Sequence, residues 1–166
     1  MSEIFFIGDT HFGHRGILSF SSTKELRPFT TIEEHDAELV RRWNAAVGAK
    51  DKVFMLGDFC FGKRNIDIAG ELNGYKVLIA GNHDMYATED YLKYFKKVCG
   101  VCEYKGAVLT HIPVHPSQFP RYFMNIHGHL HNHILNDYRY FNCSAERINL
   151  TPIAYDIILN QWAENN

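Results

Sequence analysis

Lys76-Val-Leu-Ile-Ala-Gly81-Asn82-His83-Asp84 is the stretch on which the reading of this chain turns. An apolar run of strand length closes on a glycine and then delivers a cluster of polar side chains, as a buried strand does when it presents chemistry at its carboxyl end. Residues 3–8, Glu-Ile-Phe-Phe-Ile-Gly, do the same before Asp9, and residues 53–57, Val-Phe-Met-Leu-Gly, do it before Asp58. Three such runs predict an α/β fold whose strand ends share one edge of a sheet.

The segments between these runs read as helices. Thr31 followed by Glu34 fits a capping box, and Ile32, Leu39, Trp43, Ala46 and Val47 fall on one face, so a helix is expected over about residues 33–47. Shorter helices are expected over about 65–72 and 89–96. From Val98 onward, the runs Val98–Tyr104, Ala107–His111, Tyr122–His127 and Tyr138–Cys143 read as strands separated by Gly, Pro and Asn turns, giving a second sheet. The whole is expected to be a layered sandwich with helices outside two sheets.

A chain of 166 residues fits one domain, residues 1–166, and can bury a sizeable core. Its 17 Lys and Arg against 19 Asp and Glu leave a net charge of −2, so no broad basic surface signals non-specific nucleic-acid binding. Cys60, Cys99, Cys102 and Cys143 are too unevenly spaced for a disulfide framework and read as reduced thiols, with Cys99-Gly-Val-Cys102 in a strand. The N-terminal segment lacks the charged-then-apolar pattern of a secretory signal, and no apolar run approaches the roughly 20 residues that span a bilayer. A cytoplasmic protein is expected, with no membrane contact and no evident protein partner.

Five of the ten histidines, His11, His83, His111, His129 and His131, sit at or just after the ends of the apolar runs. Asp9-Thr-His11 puts a carboxylate and an imidazole two residues apart, so that an extended strand end faces both toward one cation. Gly128-His129-Leu-His131 repeats that spacing with two imidazoles, and Gly57-Asp58 and Gly81-Asn82 add oxygen ligands on tight turns. Singly, each has a plain explanation: Gly-Asp is common, and Gly-Asn-His-Asp can be an ordinary polar turn. All of them in one chain, each closing an apolar run, point to a metal site. His35, His115, His127 and His133 read as structural or exposed.

The ordered set Asp9-Thr-His11, Gly57-Asp58, Gly81-Asn82-His83-Asp84, His111 and Gly128-His129-Leu-His131 resembles the calcineurin-like metallophosphoesterase superfamily, across residues 9–131. The run from Asp9 to His14, with Arg27-Pro-Phe, Glu34-His-Asp36 and Trp43-Asn44, is similar to its small bacterial and phage phosphoesterases. The resemblance implies a four-layer αββα sandwich with two mixed β-sheets flanked by helices. It implies that Asp9, His11 and His131 hold one metal, that Asn82, His111 and His129 hold another, and that Asp58 bridges them.

Two divalent cations about 3.5–4 Å apart bind phosphoryl oxygens and lower the pKa of a shared water, which makes a bridging hydroxide the expected nucleophile. The mixture of carboxylate, amide oxygen and imidazole suits Mn²⁺, Fe, Zn²⁺, Co²⁺ or Ni²⁺ better than Ca²⁺. His83, beside a ligand, is placed to act as general acid, with Asp84 available to orient it. The resemblance departs from the protein-phosphatase branch where Phe61 and Gly62 stand in place of an Asp-Arg pair. That argues against a Ser/Thr protein phosphatase and leaves the brace of His83 unassigned. Lys63, Arg64 and His14 are the candidate substrate-binding residues. The expected activity is hydrolysis of a phosphate ester, a phosphodiester favoured over a monoester, with nucleotides and nucleic acids among the candidate substrates. A metal-dependent nuclease, a non-catalytic binding module and a metal store are the alternatives.

Overall fold

The computed structural model describes residues 2–164. The three runs that opened the sequence reading become parallel strands β1 (Ile4–Ile7), β2 (Lys52–Met55) and β3 (Tyr75–Ile79), in register from Phe5↔Val53 to Val53↔Lys76. β4 (Lys97–Cys99) extends this sheet in parallel beside β3, and β9 (Ile153–Ala154) closes it antiparallel to β1, in the order β4-β3-β2-β1-β9. The second sheet has the order β5 (Val101–Tyr104), β6 (Ala107–Thr110), β7 (Met124–His127) and β8 (Tyr140–Asn142). It too is mixed, since β5 is antiparallel to β6 while β6, β7 and β8 are parallel.

Side chains of the first sheet alternate between two cores, as the period of two requires. Phe5, Ile7, Val53, Met55 and Leu78 pack under α1 (Ile32–Ala46) against Leu39 and Trp43. Phe6, Phe54, Leu56, Val77 and Ile79 face the second sheet and meet Leu109, Met124 and Ile126. The α1 start is the expected capping box, with Thr31 and Glu34 each accepting from the other's amide. On the far side of the second sheet, the loop after β6, with a 3₁₀ helix at Pro116–Gln118, is fixed by Val114, whose amide donates to Asn125 and whose carbonyl accepts from Tyr140.

Several elements differ from the sequence expectation. The run Val98–Tyr104 is not one strand: the chain changes sheets at Gly100, so Cys99 lies in the first sheet and Cys102 in the second. Both cysteines are half-buried at the inter-sheet core, and all four cysteines are unpaired. The helix expected over 65–72 is a 3₁₀ helix, Lys63–Gly70. The one expected over 89–96 keeps only Thr88–Tyr91 (α2) in regular form, since the chain must turn through Phe95 to enter β4. A C-terminal helix not read from the sequence, α3 (Tyr155–Glu164), inserts Tyr155 and Ile158 into the inter-sheet core. No helix among the described residues is long and apolar enough to cross a membrane.

Candidate metal centre

The parallel direction of β1, β2 and β3 brings Asp9, Asp58 and the Gly81–Asp84 turn to one edge, where His111 follows β6 and Gly128–His131 follow β7. Two groups form there: Asp9, His11 and His131, and Asp58, His111 and His129, with the ligating atoms of each group within 4.8 Å of one another. Asn82 joins the second group, its Oδ1 3.0 Å from His111 Nε2. Asp58 faces both: its Oδ2 lies 3.8 Å from His11 Nε2 and 3.4 Å from His111 Nε2.

The backbone that gathers these side chains is not extended. Asp9, His11, Asp58, His129 and His131 all have positive φ, between 50° and 71°, and make up five of the eight such non-glycine residues among the described ones. Left-handed backbone costs such residues about 1–2 kcal/mol each, and a concentration of it marks a site whose surroundings over-determine it. The i, i+2 alternation expected of Asp9/His11 and His129/His131 is therefore corrected: tight left-handed turns converge these pairs, not the pleat of a strand. Two glycines make the turns possible by lacking a side chain. A Cβ at Gly81 would lie 2.3 Å from Asp58 Oδ1, and one at Gly128 would lie 2.5 Å from Asp9 Oδ2.

The donor set fits divalent cations. Asp9 Oδ1 and His11 Nε2, which face each other across 3.9 Å, are buried with no hydrogen-bond partner, an arrangement that is costly unless an ion takes them. Burial raises the Asp9 pKa to about 6 and pulls His11 well below its usual value, so His11 offers a neutral ring. Burial also pushes Asp58 upward, but His111 and the His83 amide outweigh it and hold Asp58 at about 2. The same partnership, against burial, lifts His111 to about 9. His111 Nδ1 lies 2.8 Å from the Leu56 carbonyl, to which it donates, leaving Nε2 to face the site.

The remaining predicted residues fall into three situations. His83 and His14 are at the cluster: the Phe61 ring sits 4.9 Å from His83, 3.9 Å from His14 and 5.5 Å from His11. Where a bracing acid was sought for His83, the structure places this aromatic face. Asp84 does not orient the His83 ring; its carboxylate accepts from the amides of Gly81, Asp58 and Phe59 at 2.8–3.0 Å, locking the β2 and β3 turns together. Lys63 and Arg64 are not brought to the ligands: Lys63 is 2.6 Å from Asp90 on the surface, and no described contact joins either to the cluster.

Sequence reasoning missed what lies beneath. Arg27, fully buried, donates to Glu146 at 2.8 Å and to the carbonyls of Asp9 and Thr10. Glu146 in turn accepts from His131 Nδ1 at 3.0 Å. Burial pushes the Glu146 pKa up, but His131 and Arg27 hold it at about 2. His127, one of the histidines read as structural or exposed, is buried, with Nδ1 on the Gly128 carbonyl and a pKa lowered by burial to about 4.

The chain belongs to the calcineurin-like phosphoesterase family, whose model matches residues 2–165, and its two-sheet α/β sandwich with candidate metal ligands at the strand ends agrees with that membership. The family hydrolyses phosphate esters with divalent metals. An uncharacterized protein of Methanocaldococcus jannaschii is 35% identical over 174 residues, covering 96% of this chain and 90% of that protein. The Gene 66 protein of Mycobacterium phage L5 is 37% identical over 89 residues, 51% of this chain and 41% of the phage protein. The crystal structure of a protein of unknown function from Aquifex aeolicus superposes with a TM-score of 0.73 at 25% identity, covering 96% of this chain and 99% of that one.

Proposed function

We propose that the chain is a dinuclear metal phosphodiesterase in which Asp9, His11 and His131 hold one cation, Asn82, His111 and His129 hold the other, and Asp58 is shared. The observation that carries this reading is the position of Asp58, with one carboxylate oxygen within 4 Å of a ring nitrogen from each group. Two bound divalent cations supply Lewis acidity toward the phosphoryl oxygens and activate water for attack.

The protein's own residues account for the rest. His83 holds the proton for the leaving oxygen; it lies beside the ligands, with its amide on Asp58 Oδ1 and its ring on Phe61. Asp84 keeps the β2 and β3 turns fixed, so that Asp58 and His83 stay in one arrangement. The preference for a diester follows from charge. A monoester dianion calls for a fixed cationic clamp, but Gly62 stands at the arginine position and Lys63 is engaged by Asp90. A diester carries one negative charge, and the ring faces of Phe61 and His14 suit its second ester group.

With Mn²⁺, the purified protein is expected to hydrolyse bis-p-nitrophenyl phosphate with a kcat/KM at least about tenfold above that for p-nitrophenyl phosphate, and a chelator is expected to abolish turnover. Higher efficiency on the monoester contradicts the diester preference. Inactivity on both esters with Mn²⁺, Fe²⁺, Zn²⁺, Co²⁺ and Ni²⁺ contradicts the whole reading.

A further inference from the structure

We propose that Glu146, anchored by Arg27, is the positioning residue of the Asp9–His11–His131 half of the metal site and sets how tightly that half holds its ion. The inference rests on the dinuclear reading above. Glu146 Oε1 accepts from His131 Nδ1 at 3.0 Å and from Arg27 Nε at 2.8 Å, and the side chains of Glu146 and Arg27 are wholly buried. The bond to Glu146 fixes the His131 tautomer, turns Nε2 to the ion and makes the ring a more basic ligand.

Arg27 ties this brace to the other ligands of the same half. Its two Nη groups donate to the carbonyls of Asp9 and Thr10 at 2.5 and 3.1 Å. Nη1 also donates to His35 Nε2 at 2.7 Å, so His35 Nδ1 carries the proton and donates to Asp36 Oδ1 at 2.8 Å. Asp36 Oδ2 accepts from the Gly13 amide at 2.9 Å, two residues after His11. The turn from Asp9 to Gly13 and the ring of His131 thus hang on one hydrogen-bonded chain centred on the buried Arg27–Glu146 ion pair. The opposite half has a neutral counterpart, the Leu56 carbonyl behind His111. Loss of the Glu146 charge is therefore expected to weaken one ion and spare the other.

The test is a calorimetric titration of the metal-stripped full-length protein with Mn²⁺, read in parallel by electron paramagnetic resonance for the coupled Mn–Mn signal. The wild type is expected to bind two ions. Glu146→Gln is expected to bind one of them within about threefold of wild type and the other about 10–100-fold more weakly, with the coupled signal lost at intermediate Mn²⁺. Should the single variant not fold, the double variant Arg27→Met/Glu146→Gln removes both buried charges together and carries the same expectation. Leu72→Ala, in the first core, controls for lost stability. Unchanged affinities, equal weakening of both ions, or the same selective loss in Leu72→Ala would overturn the role of Glu146. A wild type that fails to bind two ions overturns the dinuclear reading beneath it, which is a different result.

Discussion

The two halves of the candidate metal site are built by different means. Asp9, His11 and His131 stand over the buried side chains of Arg27, His35 and Glu146 and the partly buried Asp36, which arrive from α1, the segment before it and a 3₁₀ turn near the C-terminus. Asp58, Asn82 and His111 are set by the turns themselves, through the Leu56 carbonyl, the His83 amide and the grip of Asp84 on three amides. A half supported by distant side chains can be weakened from far along the chain, whereas one supported by main chain and by the Asp84 carboxylate of its own turn answers mainly to changes in those turns. The pairing of Arg27 and Glu146 also carries a liability, because removing one member of a buried pair costs about 3–5 kcal/mol.

This contrast can be broken or sharpened by substitution. The largest effect is expected at the residue common to both halves. Asp58→Asn should lower kcat/KM on the order of 10⁴-fold, the several kcal/mol that paired cations contribute to the barrier. A variant retaining a tenth of wild-type efficiency would mean that the halves do not act through Asp58. His83→Ala, which removes the imidazole but keeps the amide that holds Asp58 Oδ1, should slow turnover about 10²–10⁴-fold while binding two Mn²⁺ ions as the wild type does. If metal content falls with activity, His83 belongs to the ligand set and its role as acid is wrong.

The smallest effect concerns stability of the metal-stripped protein. Glu146 has its folded pKa lowered to about 2 from the ordinary glutamate value of 4.5. Its contribution is thus present above about pH 4.5 and is lost as pH falls toward 2, in total up to about 3 kcal/mol. Urea denaturation of the chelated protein should show that loss, and Glu146→Gln should begin less stable and fall less steeply in the same window. Equal slopes for the two proteins would mean that the buried chain carries no net charge interaction.

The same contrast explains what the sequence made legible. The turn-built half is local: Gly57-Asp58 and Gly81-Asn82-His83-Asp84 are contiguous and close apolar runs, so both strand ends and candidate ligands could be read together. The capping box at Thr31 was legible for the same reason. Glu146 was not, since it meets Arg27 across 119 residues and lies in Ser144-Ala-Glu-Arg, which has no ligand spacing. Neither Arg27 nor Asp36 carries a site role in the sequence reading, since neither has ligand spacing. The left-handed turns at Asp9, His11, His129 and His131 were hidden because non-glycine residues rarely adopt them without tertiary support. β9 has two residues, too few for a periodic signal, and the break at Gly100 falls inside a run, Val98–Tyr104, of the length and composition of one strand.

The most direct measurement is anomalous diffraction from crystals of the wild-type protein soaked in Mn²⁺. Two peaks about 3.5–4 Å apart are expected, one within bonding reach of Asp9, His11 and His131, the other of Asn82, His111 and His129, with Asp58 between them. A single peak, or manganese bound away from these residues, would contradict the dinuclear centre on which the proposed function depends.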